Sequence, residues 1–459
     1  MDQLLGIAKE RGAAVLGLGV SGLAAAEYLL LRGVRPLYLV EEKRGAAAAE
    51  LVRRGATLRN DLAGVCFGLL VRSPGIPERH PAVLYARAIG ATVTNEIGLW
   101  FSGASIPTLA VTGSDGKTTT VTLAHRMLTA GGRRALLGGN IGFSPLPALL
   151  RSDAELALLE LSSFQLLDAF PLSRPTRAPA RAAILNLSEN HLDFHGTTEA
   201  YFAAKQNILA KQAISVLPLS LAHLAKGCEL PPHLFSLSES PLSYPARLYF
   251  PRDGELLCRE ASGEVRRLCS ISDFSLSGEH NLLNLLAAAA LCDGLVSGEA
   301  IEDAIRNAHG VAHRMTEIGR HRGARCIDSS IDSTPTRTAT TLRATSGDSI
   351  VLLLGGASKN LSLEPLIEAL DARVRAIYTF GREGARLYGA ISESPYSGTL
   401  VRCEGFDEAV TKARETLGEG DLLLLSPACT SYDEFQNYTE RAERFRHLLG
   451  LDEKGKETS

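Results

Sequence analysis

The segment that decides the fold class reads IPTLAVTGSDGKTTT and covers residues 106–120. Residues 106–111 have the composition of a buried strand, and the pattern from Thr118 to Leu128 predicts a helix. Gly113 and Gly116 lie between the two, where they let backbone N–H groups turn towards phosphate oxygens at the positive end of the helix. The segment therefore predicts a nucleotide phosphate loop on a mostly parallel α/β sheet.

The side chains of this loop are those that ATP and Mg²⁺ require. Lys117 can reach the terminal phosphates, and the Thr118 hydroxyl can ligate Mg²⁺. Val111 and Thr112 stand where the first glycine of the common G-x-x-x-x-G-K-[ST] pattern would fall, so a Gly-rich turn with an incidental lysine is the alternative. We predict that ATP is held by Gly113, Ser114, Asp115, Gly116, Lys117, Thr118 and Thr119.

A second glycine-rich turn lies near the N-terminus, in a predicted βαβ unit. The turn Gly17-Leu18-Gly19-Val20-Ser21-Gly22 follows the apolar run 13–16. Glu41 and Glu42 come directly after the next predicted strand, residues 36–40. This pattern matches the dinucleotide fingerprint, whose acidic residue holds a ribose hydroxyl. Taken alone it favours a nicotinamide-dependent oxidoreductase, but the same geometry binds any pyrophosphate, including that of a UDP-sugar.

Strand and helix patterns recur along the rest of the chain. Strand candidates at 156–159 and 183–186 end in polar residues, as the ligand-binding edges of parallel sheets do. A helical pattern follows at 281–295, whereas residues 214–275 show only short strand-like pieces. Further strands are predicted at 350–354, 375–380 and 421–425.

We therefore predict an α/β protein of three domains, since 459 residues exceed the roughly 250–300 that one hydrophobic core organises. Residues 1–105 would form a Rossmann-like domain that contains the N-terminal glycine-rich turn. Residues 106–310 would form a central P-loop-type ATPase domain with a mostly parallel sheet. Residues 311–459 would form a Rossmann-like C-terminal domain.

Composition and charge argue against several classes of partner. Hydrophobic residues make up 45% of the chain and the formal net charge is -3, which gives no strong field for nucleic acid or an anionic membrane. The eight cysteines are scattered without metal-ligand spacing, as in a reduced cytosolic protein. The start MDQLLGIAKERG lacks a signal-peptide pattern, and no apolar stretch reaches the roughly 18 residues of a membrane span. We expect a cytoplasmic monomer whose partners are small molecules.

The phosphate loop and the segments around it resemble those of the Mur ligase family. The motifs keep the family's order over nearly the whole chain: Ser73-Pro74-Gly75-Ile76, Gly139-Asn140-Ile141-Gly142, Glu160-Leu161-Ser162-Ser163-Phe164-Gln165-Leu166, NLSENHLD at 186–193, AAK at 203–205, GEHNLLN at 278–284, His313-Arg314, GGASK at 355–359 and SPACTSYD at 426–433. The Glu160 block and the Ser-Pro-Ala-Cys block look most like those of members that add D-glutamate.

This resemblance implies an ATP-dependent ligase that joins a carboxylate to an amine. In the D-glutamate-adding branch the acceptor is UDP-N-acetylmuramoyl-L-alanine, the intermediate is an acyl phosphate, and the product is a peptidoglycan precursor. Two alternatives stay open. The chain could be a sibling that adds another amino acid, or a folylpolyglutamate synthetase, although the Gly-x-Gly-x-x-Gly turn argues against the latter. From a different class, it could be a nicotinamide-binding oxidoreductase or redox sensor with a regulatory phosphate loop.

The resemblance also implies catalytic and metal-binding residues. Four residues would be catalytic: Lys117, Glu160, His191 and Lys205. Thr118 and Glu160 would hold one Mg²⁺, and His191 a second one. Lys205 matches a lysine that the family carries as a carbamate, which can hold Mg²⁺ where a bare ammonium would repel it. Each of these assignments has a structural alternative: Glu160 could cap a helix, His191 could be an ordinary hydrogen-bonded histidine, and Lys205 could be a surface lysine.

Other matching positions would bind the three substrates, which makes residues 1–105 a domain for the UDP substrate and residues 311–459 a domain that binds the amino acid. The ATP site would also include Asn281, Asn284, Arg314 and Asp328. The UDP substrate would be bound by Gly19, Val20, Ser21, Glu41, Ser73, Pro74, Gly75 and Asn140. D-Glutamate would be bound by Lys359, Ser431, Tyr432 and Tyr438, of which the last replaces a phenylalanine of relatives.

One segment departs from the family pattern. Residues 328–335 read DSSIDSTP, where the family form reads Asn-Asp-Ser-Lys-Ala-Thr. The family's lysine has no counterpart here, and its aspartate corresponds either to Asp328 or to Asp332.

Overall fold

The computed structural model describes residues 2–41, 46–141, 143–170, 178–189, 191–242, 245–274, 276, 278–306, 313, 315–345, 349–357 and 361–451. The chain forms two compact units, Met1–His309 and Gly310–Ser459. In the described ranges the first unit contains two sheets and the second contains one. All three sheets are mostly parallel, so the predicted α/β class is confirmed. The division into three domains stays a prediction.

The first unit opens with alternating helices and strands that form a parallel sheet. Its elements are α1 (Gln3–Arg11), β1 (Ala13–Leu16), α2 (Val20–Leu31), β2 (Leu37–Val40), α3 (Ala46–Arg53), β3 (Thr57–Arg59), β4 (Leu69–Arg72), α4 (Pro81–Ala88), β5 (Thr92–Thr94) and α5 (Glu96–Gly103). Over the described residues the strand order is β3-β2-β1-β4-β5. The order reverses between β1 and β4, so the loops after these two strands flank the crevice in which such folds bind ligands.

The same unit continues with a larger sheet built around the strand of the phosphate loop. Its elements are β6 (Thr108–Thr112), α6 (Lys117–Ala130), β7 (Ala135–Gly139), β8 (Leu156–Glu160), α7 (Ser163–Leu167), β9 (Arg181–Ile184), α8 (Leu192–His195), α9 (Thr198–Gln206), β10 (Ile214–Pro218), β11 (His233–Phe235), β12 (Arg247–Arg252), β13 (Glu255–Arg259), β14 (Val265–Ser270), α10 (Glu279–Cys292) and α11 (Gly298–Arg306). Within the described ranges the order is β14-β13-β12-β11-β10-β9-β6-β8-β7. Strands β7, β8, β6 and β9 are parallel, so their carboxyl ends share one edge. Strands β12, β13 and β14 form an antiparallel meander at the far end.

Helices cover both faces of the central sheet and fix the strand that carries the phosphate loop. Residues 285–292 of α10 are all buried, and their four consecutive alanines let α10 pack closely against α6. On the other face Trp100 of α5, the only tryptophan in the sequence, is buried. Its Nε1 donates to Thr108 Oγ1 at 3.1 Å, at the start of β6.

The second unit contains one further α/β sheet. Its elements are β15 (Thr316–His321), β16 (Ala324–Asp328), α12 (Pro335–Ala344), β17 (Ile350–Gly355), α13 (Glu364–Ile367), β18 (Val374–Phe380), α14 (Gly384–Ser392), β19 (Thr399–Arg402), α15 (Phe406–Glu415), β20 (Leu422–Ala428) and α16 (Tyr438–Leu448). In the described part of this unit the order is β15-β16-β20-β17-β18-β19. Among the described strands of this unit, only β15 runs antiparallel to its neighbour, so the carboxyl ends of β16, β20, β17 and β18 meet at one edge.

Several predicted boundaries differ from the observed ones by one to three residues, and two of these differences have a physical reason. The strand predicted at 183–186 is β9, Arg181–Ile184, and it ends early because Asn186 turns its side chain towards the phosphate loop. The helix predicted at 281–295 ends at Cys292, where Asp293 leaves the helical conformation and Arg181 donates to the carbonyls of Leu291 and Asp293. As for membranes, the described residues include no helix long and apolar enough to cross one.

Candidate active site

The phosphate loop between β6 and α6 has, at Gly116, a backbone conformation that residues with a side chain rarely adopt. Gly116, the N-cap of α6, has a φ of 80°, and a Cβ there would lie 2.2 Å from Asn284 Oδ1. Asn186 braces the loop, since its Oδ1 accepts from the backbone N–H of Asp115 at 2.8 Å and its Nδ2 donates to the Asp115 carbonyl at 3.1 Å. Contacts within the protein therefore fix the conformation of the loop.

Lys117, Thr118 and Glu160 form a compact polar group at the start of α6. The Lys117 ammonium donates to two carbonyl oxygens of the loop at 2.7 and 2.9 Å. Glu160 is buried at the end of β8, where its Oε2 accepts from the Thr118 hydroxyl and its Oε1 from Asn140 Nδ2, both at 2.8 Å. Thr118 and Glu160 thus present, side by side, the oxygen ligands that Mg²⁺ prefers. Glu160 does not cap a helix here.

Lys205 reaches the same loop from α9. Its side chain is 1% exposed, and its ammonium donates to the Gly113 carbonyl at 2.8 Å and lies 4.7 Å from the centre of the Tyr201 ring. Burial, reinforced by the nearby Lys117 ammonium, lowers the pKa of Lys205 to about 7. The surface-lysine alternative is therefore wrong, and much of this amine is uncharged at neutral pH.

His191 lies close to two aromatic rings, one of which Lys205 also contacts. Its ring centre is 4.9 Å from that of Phe164 and 6.1 Å from that of Tyr201. Phe164 belongs to α7, which begins three residues after Glu160. Lys205 also contacts Tyr201, and it shares the Gly113 carbonyl with Lys117. The structure therefore brings all four predicted catalytic residues to one edge of the central sheet.

Helix α10 brings one of its two predicted asparagines against the phosphate loop. Asn284 is buried, and its Oδ1 accepts from Thr120 Oγ1 at 3.3 Å beside Gly116. Asn281 lies one turn earlier on the same helix. The predicted ATP residues of the first unit are therefore gathered around the N-terminus of α6 and the start of α10.

The loops after β1 and β4 meet at the crevice of the first sheet. Ser73 Oγ donates to the Gly17 carbonyl at 2.9 Å. A Cβ added to Gly17 would lie 2.9 Å from Ser73 Oγ. Glu41 Oε2 accepts from the backbone N–H of Leu18 at 2.6 Å, and Val20 is 66% exposed. This crevice gathers Gly19, Val20, Ser21, Glu41, Ser73, Pro74 and Gly75. Asn140, also predicted to bind the UDP substrate, lies at the central sheet instead, where it is hydrogen-bonded to Glu160. Glu42 lies outside the described residues.

Both candidate aspartates of the departing segment are buried in the second unit. Asp328 ends β16, and its Oδ2 lies 2.6 Å from His313 Nδ1. Asp332 Oδ2 accepts from the hydroxyls of Thr341 and Ser426 at 2.7 and 2.8 Å. Both carboxylates have partners within this unit, so the choice between them stays open.

Three of the four predicted D-glutamate residues, Ser431, Tyr432 and Tyr438, follow β20 at the carboxyl edge of the third sheet. Ser431 is buried and Tyr432 is 71% exposed. Tyr438 begins α16, and its ring centre lies 5.9 Å from that of His313. Lys359 and Arg314 lie outside the described residues, so their roles in binding D-glutamate and ATP stay predictions.

Comparisons with known proteins decide between the open alternatives of class. Residues 111–292 match the Mur ligase middle domain, and residues 313–429 match the family described as Mur ligase, glutamate ligase domain. The chain belongs to the Mur ligase family. Mur ligases are ATP-dependent amide ligases, so membership favours the ligase hypothesis over the oxidoreductase one.

Several relatives that match over nearly the whole chain share one name. The UDP-N-acetylmuramoylalanine--D-glutamate ligase of Symbiobacterium thermophilum is 33% identical and covers 97% of this chain and 99% of its own. Its namesake from Chromobacterium violaceum is 34% identical over 95% of this chain and 96% of its own. Among solved structures, MurF from Acinetobacter baumannii aligns with a TM-score of 0.56 at 17% identity, over 97% of this chain and 98% of that one. The MurF ligase of Thermotoga maritima in complex with ADP aligns with a TM-score of 0.54 at 16% identity, over 95% of this chain and 93% of that one. These structures show a shared fold.

Three residues that shape the Mur ligase site were not predicted individually. Asn186 braces Asp115, and Ser114 Oγ both donates to the Ser188 carbonyl at 2.9 Å and accepts from the Ser188 N–H at 3.0 Å. The Tyr201 hydroxyl lies 3.2 Å from Ser114 Oγ. The position of Asn186 and Ser188 directly after a parallel strand was a usable signal, whereas nothing in the helical pattern distinguished Tyr201.

Proposed function

We propose that this Mur ligase adds D-glutamate to UDP-N-acetylmuramoyl-L-alanine, forming ADP and phosphate and yielding a peptidoglycan precursor in the cytoplasm. The observation that carries the proposal is the full-length likeness to enzymes named for that reaction. The glycine-rich crevice of the first sheet supports it, because a UDP group presents a pyrophosphate to such a loop.

The reaction has to overcome the inertness of a carboxylate towards an amine. The alanyl carboxylate would attack the γ-phosphate of ATP, which forms an acyl phosphate and releases ADP. The amine of D-glutamate would then attack the acyl carbon, and phosphate would leave. Lys117 lies over the loop and would neutralise the charge that develops on the transferred phosphoryl group.

The residues at the end of β8 fit a Mg²⁺ ion. Thr118 Oγ1 and Glu160 Oε2 are hard oxygen donors 2.8 Å apart, and Asn140 holds the other carboxylate oxygen in place. When bound, Mg²⁺ would neutralise phosphate charge and polarise the phosphoryl group. Glu160 is therefore the anionic ligand of this proposal, and Thr118 the neutral one.

Lys205 would act as a carbamate in a second Mg²⁺ site with His191. The uncharged amine would attack CO₂, so that an N–C bond forms, one proton leaves to solvent, and a neutral amine becomes an anionic carbamate. Its burial and its position near the Lys117 ammonium support this conversion, because an anion beside Lys117 is stabilised where a second cation is not. His191 contacts the same Tyr201 ring and would supply a nitrogen ligand.

The second unit would supply the amino-acid site. D-Glutamate carries two carboxylates, which call for a cation and for hydroxyl donors. Lys359 would provide the cation. Ser431, Tyr432 and Tyr438 would provide hydroxyl donors, and the two tyrosine rings would line the site. Asp328 and Arg314 would bind ATP.

Product formation with a panel of amino acids tests the proposal. Purified protein, ATP, Mg²⁺ and UDP-N-acetylmuramoyl-L-alanine are incubated with D-glutamate, L-glutamate, L-lysine, meso-diaminopimelate or L-alanine, and products are identified by mass. We expect phosphate release and a new amide with D-glutamate alone. Efficient ligation of another amino acid would instead identify a sibling ligase.

Chemical rescue tests the carbamate. Lys205→Ala should be nearly inactive, and acetate or formate should restore part of its activity by supplying oxygens to the vacated space. The assay is repeated with methylammonium at matched ionic strength, because phosphate chemistry is itself sensitive to salt. Lys226→Ala, at an exposed lysine of the same unit, controls for loss of one positive charge. Rescue by the amine and not by the acid would refute the carbamate.

A further inference from the structure

A buried ion pair joins the first sheet to the central sheet within the first unit. Arg72, the last residue of β4, and Asp168, directly after α7, are 96 residues apart in sequence. Arg72 Nε donates to Asp168 Oδ2 at 2.8 Å, and Arg72 Nη2 donates to the same oxygen. The side chains are 2% and 8% exposed, so the pair is shielded from solvent.

Arg72 also fixes the loop that follows β4. Its Nη1 donates to the Ile76 carbonyl at 3.1 Å and lies 3.0 Å from Glu78. The backbone N–H of Ile76 in turn donates to the Ser73 carbonyl at 3.1 Å. One guanidinium therefore holds the end of the segment Ser73–Ile76, in which we place part of the UDP-substrate site.

Asp168 in turn fixes the short helix that follows the proposed Mg²⁺ ligand. Helix α7 begins three residues after Glu160 and carries Phe164, which packs against His191. The Asp168 carbonyl accepts from Thr94 Oγ1 at 3.1 Å, and Asn95 Nδ2 donates to the carbonyl of Gln165. The ion pair is thus the charged centre of a buried connection between the UDP loop and the metal-binding edge.

Stability alone does not account for an ion pair at this place. Replacing a buried ion pair with apolar side chains of similar volume is often neutral or stabilising, because two charges must be removed from water. Burial raises the pKa of the Asp168 carboxyl even though Arg72 acts in the opposite direction. A directional, multidentate contact is better suited to alignment than to stabilisation.

We propose that Arg72 is a positioning residue that aligns the UDP-substrate loop with the Glu160 edge, so that the substrate carboxylate meets the γ-phosphate of ATP. This inference rests on the proposed function. Arg72 touches no reacting atom; it acts through the Ile76 carbonyl on one side and through Asp168 on the other. Its loss should therefore impair the reaction and the binding of the UDP substrate, but not the binding of ATP.

The kinetic test uses the double variant Arg72→Met with Asp168→Leu, which removes both charges and leaves no unpaired one. Urea unfolding followed by Trp100 fluorescence verifies that it is folded. We expect kcat to fall about 100-fold and the KM for the UDP substrate to rise, while the KM for ATP stays within about twofold of the wild type. The exposed pair Glu50→Leu with Arg53→Met is the matched control, expected to behave as the wild type. Wild-type values of kcat and both KM in the folded double variant would overturn the proposal.

Two further measurements keep the inference separate from the proposed function. Arg72→Lys retains the charge beside Asp168, but a lysine cannot donate to Asp168 and to the Ile76 carbonyl at the same time. Its kcat should therefore lie between those of the wild type and the double variant, while its stability stays close to wild type. Amide hydrogen exchange without substrates should be faster in segments 73–76 and 163–168 of the double variant and unchanged in the control. A wild-type protein without ligase activity would refute the proposed function only. Unchanged exchange in both segments would refute the role of Arg72.

Discussion

Replacing Lys205 by methionine should change how the stability of the first unit depends on pH. Burial lowers the pKa of Lys205 from 10.5 to about 7 in the folded protein. Between these two values the unfolded chain binds a proton that the folded protein does not bind, so the free energy of unfolding of the wild type rises with pH. Below about pH 7 both states bind the proton, and the cost of burying the charged amine is fully present.

The pKa difference sets the size of this effect. The pKa of Lys205 is about 3.5 units lower in the folded protein than in the unfolded chain. At about 1.4 kcal/mol per unit, burying the charged amine costs close to 5 kcal/mol at low pH. Integration between pH 6 and pH 9.5 gives a gain of about 3 kcal/mol for the wild type. Lys205→Met lacks the amine, so the wild-type value minus the variant value isolates the contribution of this group.

The sole tryptophan makes the measurement specific to the first unit. Trp100 is buried and bonded to Thr108 at the start of the strand that carries the phosphate loop. Urea unfolding is followed by its fluorescence at pH 6, 7.5 and 9.5, in CO₂-free buffer with a chelator. Lys226→Met, at an exposed lysine, is the control. A difference between wild type and Lys205→Met that stays constant over this range would refute the reasoning.

Three further predictions concern the ligand sites. Lys117→Ala should lower the ligation rate about 100-fold or more, since the lost cation contributes about 3 kcal/mol to the transition state, and near-normal turnover would contradict the ATP assignment. Gly116→Ala should destabilise the first unit by about 2 kcal/mol, because Gly116 has a φ of 80° and the added Cβ would clash with Asn284. Gly90→Ala is the control and should destabilise less, because Gly90 has a similar φ of 71° but an added Cβ there meets no other atom within 4 Å. UDP-N-acetylmuramoyl-L-alanine should raise the melting temperature and NADH should not; a shift with NADH alone would favour an oxidoreductase.

The strands that helices cover on both faces were predictable because their burial marks the sequence. Strands β8 and β17 are continuous apolar runs bounded by polar residues or glycine, which is the pattern of a parallel strand covered by helices. Residues 214–275 gave no such pattern. Strand β11 has only three residues, and β14 is largely solvent-accessible along its first half, so the apolar signal there is short and broken.

Contacts between distant segments were beyond prediction from local patterns. The helical pattern around Lys205 suits a surface lysine equally well, and only the packing of α9 under the loop buries it. The bonds of Asn186 to Asp115, and of Arg72 to Asp168, join residues 71 and 96 positions apart. Their residue types are common at the surface, and the sequence does not show which partner each one meets.

Transfer of ¹⁸O from the substrate carboxylate to phosphate tests the central claim most directly. UDP-N-acetylmuramoyl-L-alanine labelled with ¹⁸O in its alanyl carboxylate is incubated with the protein, ATP, Mg²⁺ and D-glutamate, and the released phosphate is analysed by mass. An acyl phosphate requires that one carboxylate oxygen leaves with the phosphoryl group, so we predict one ¹⁸O atom per phosphate formed, in equal amount to the amide product. Phosphate without ¹⁸O, or phosphate released without amide, would contradict the account.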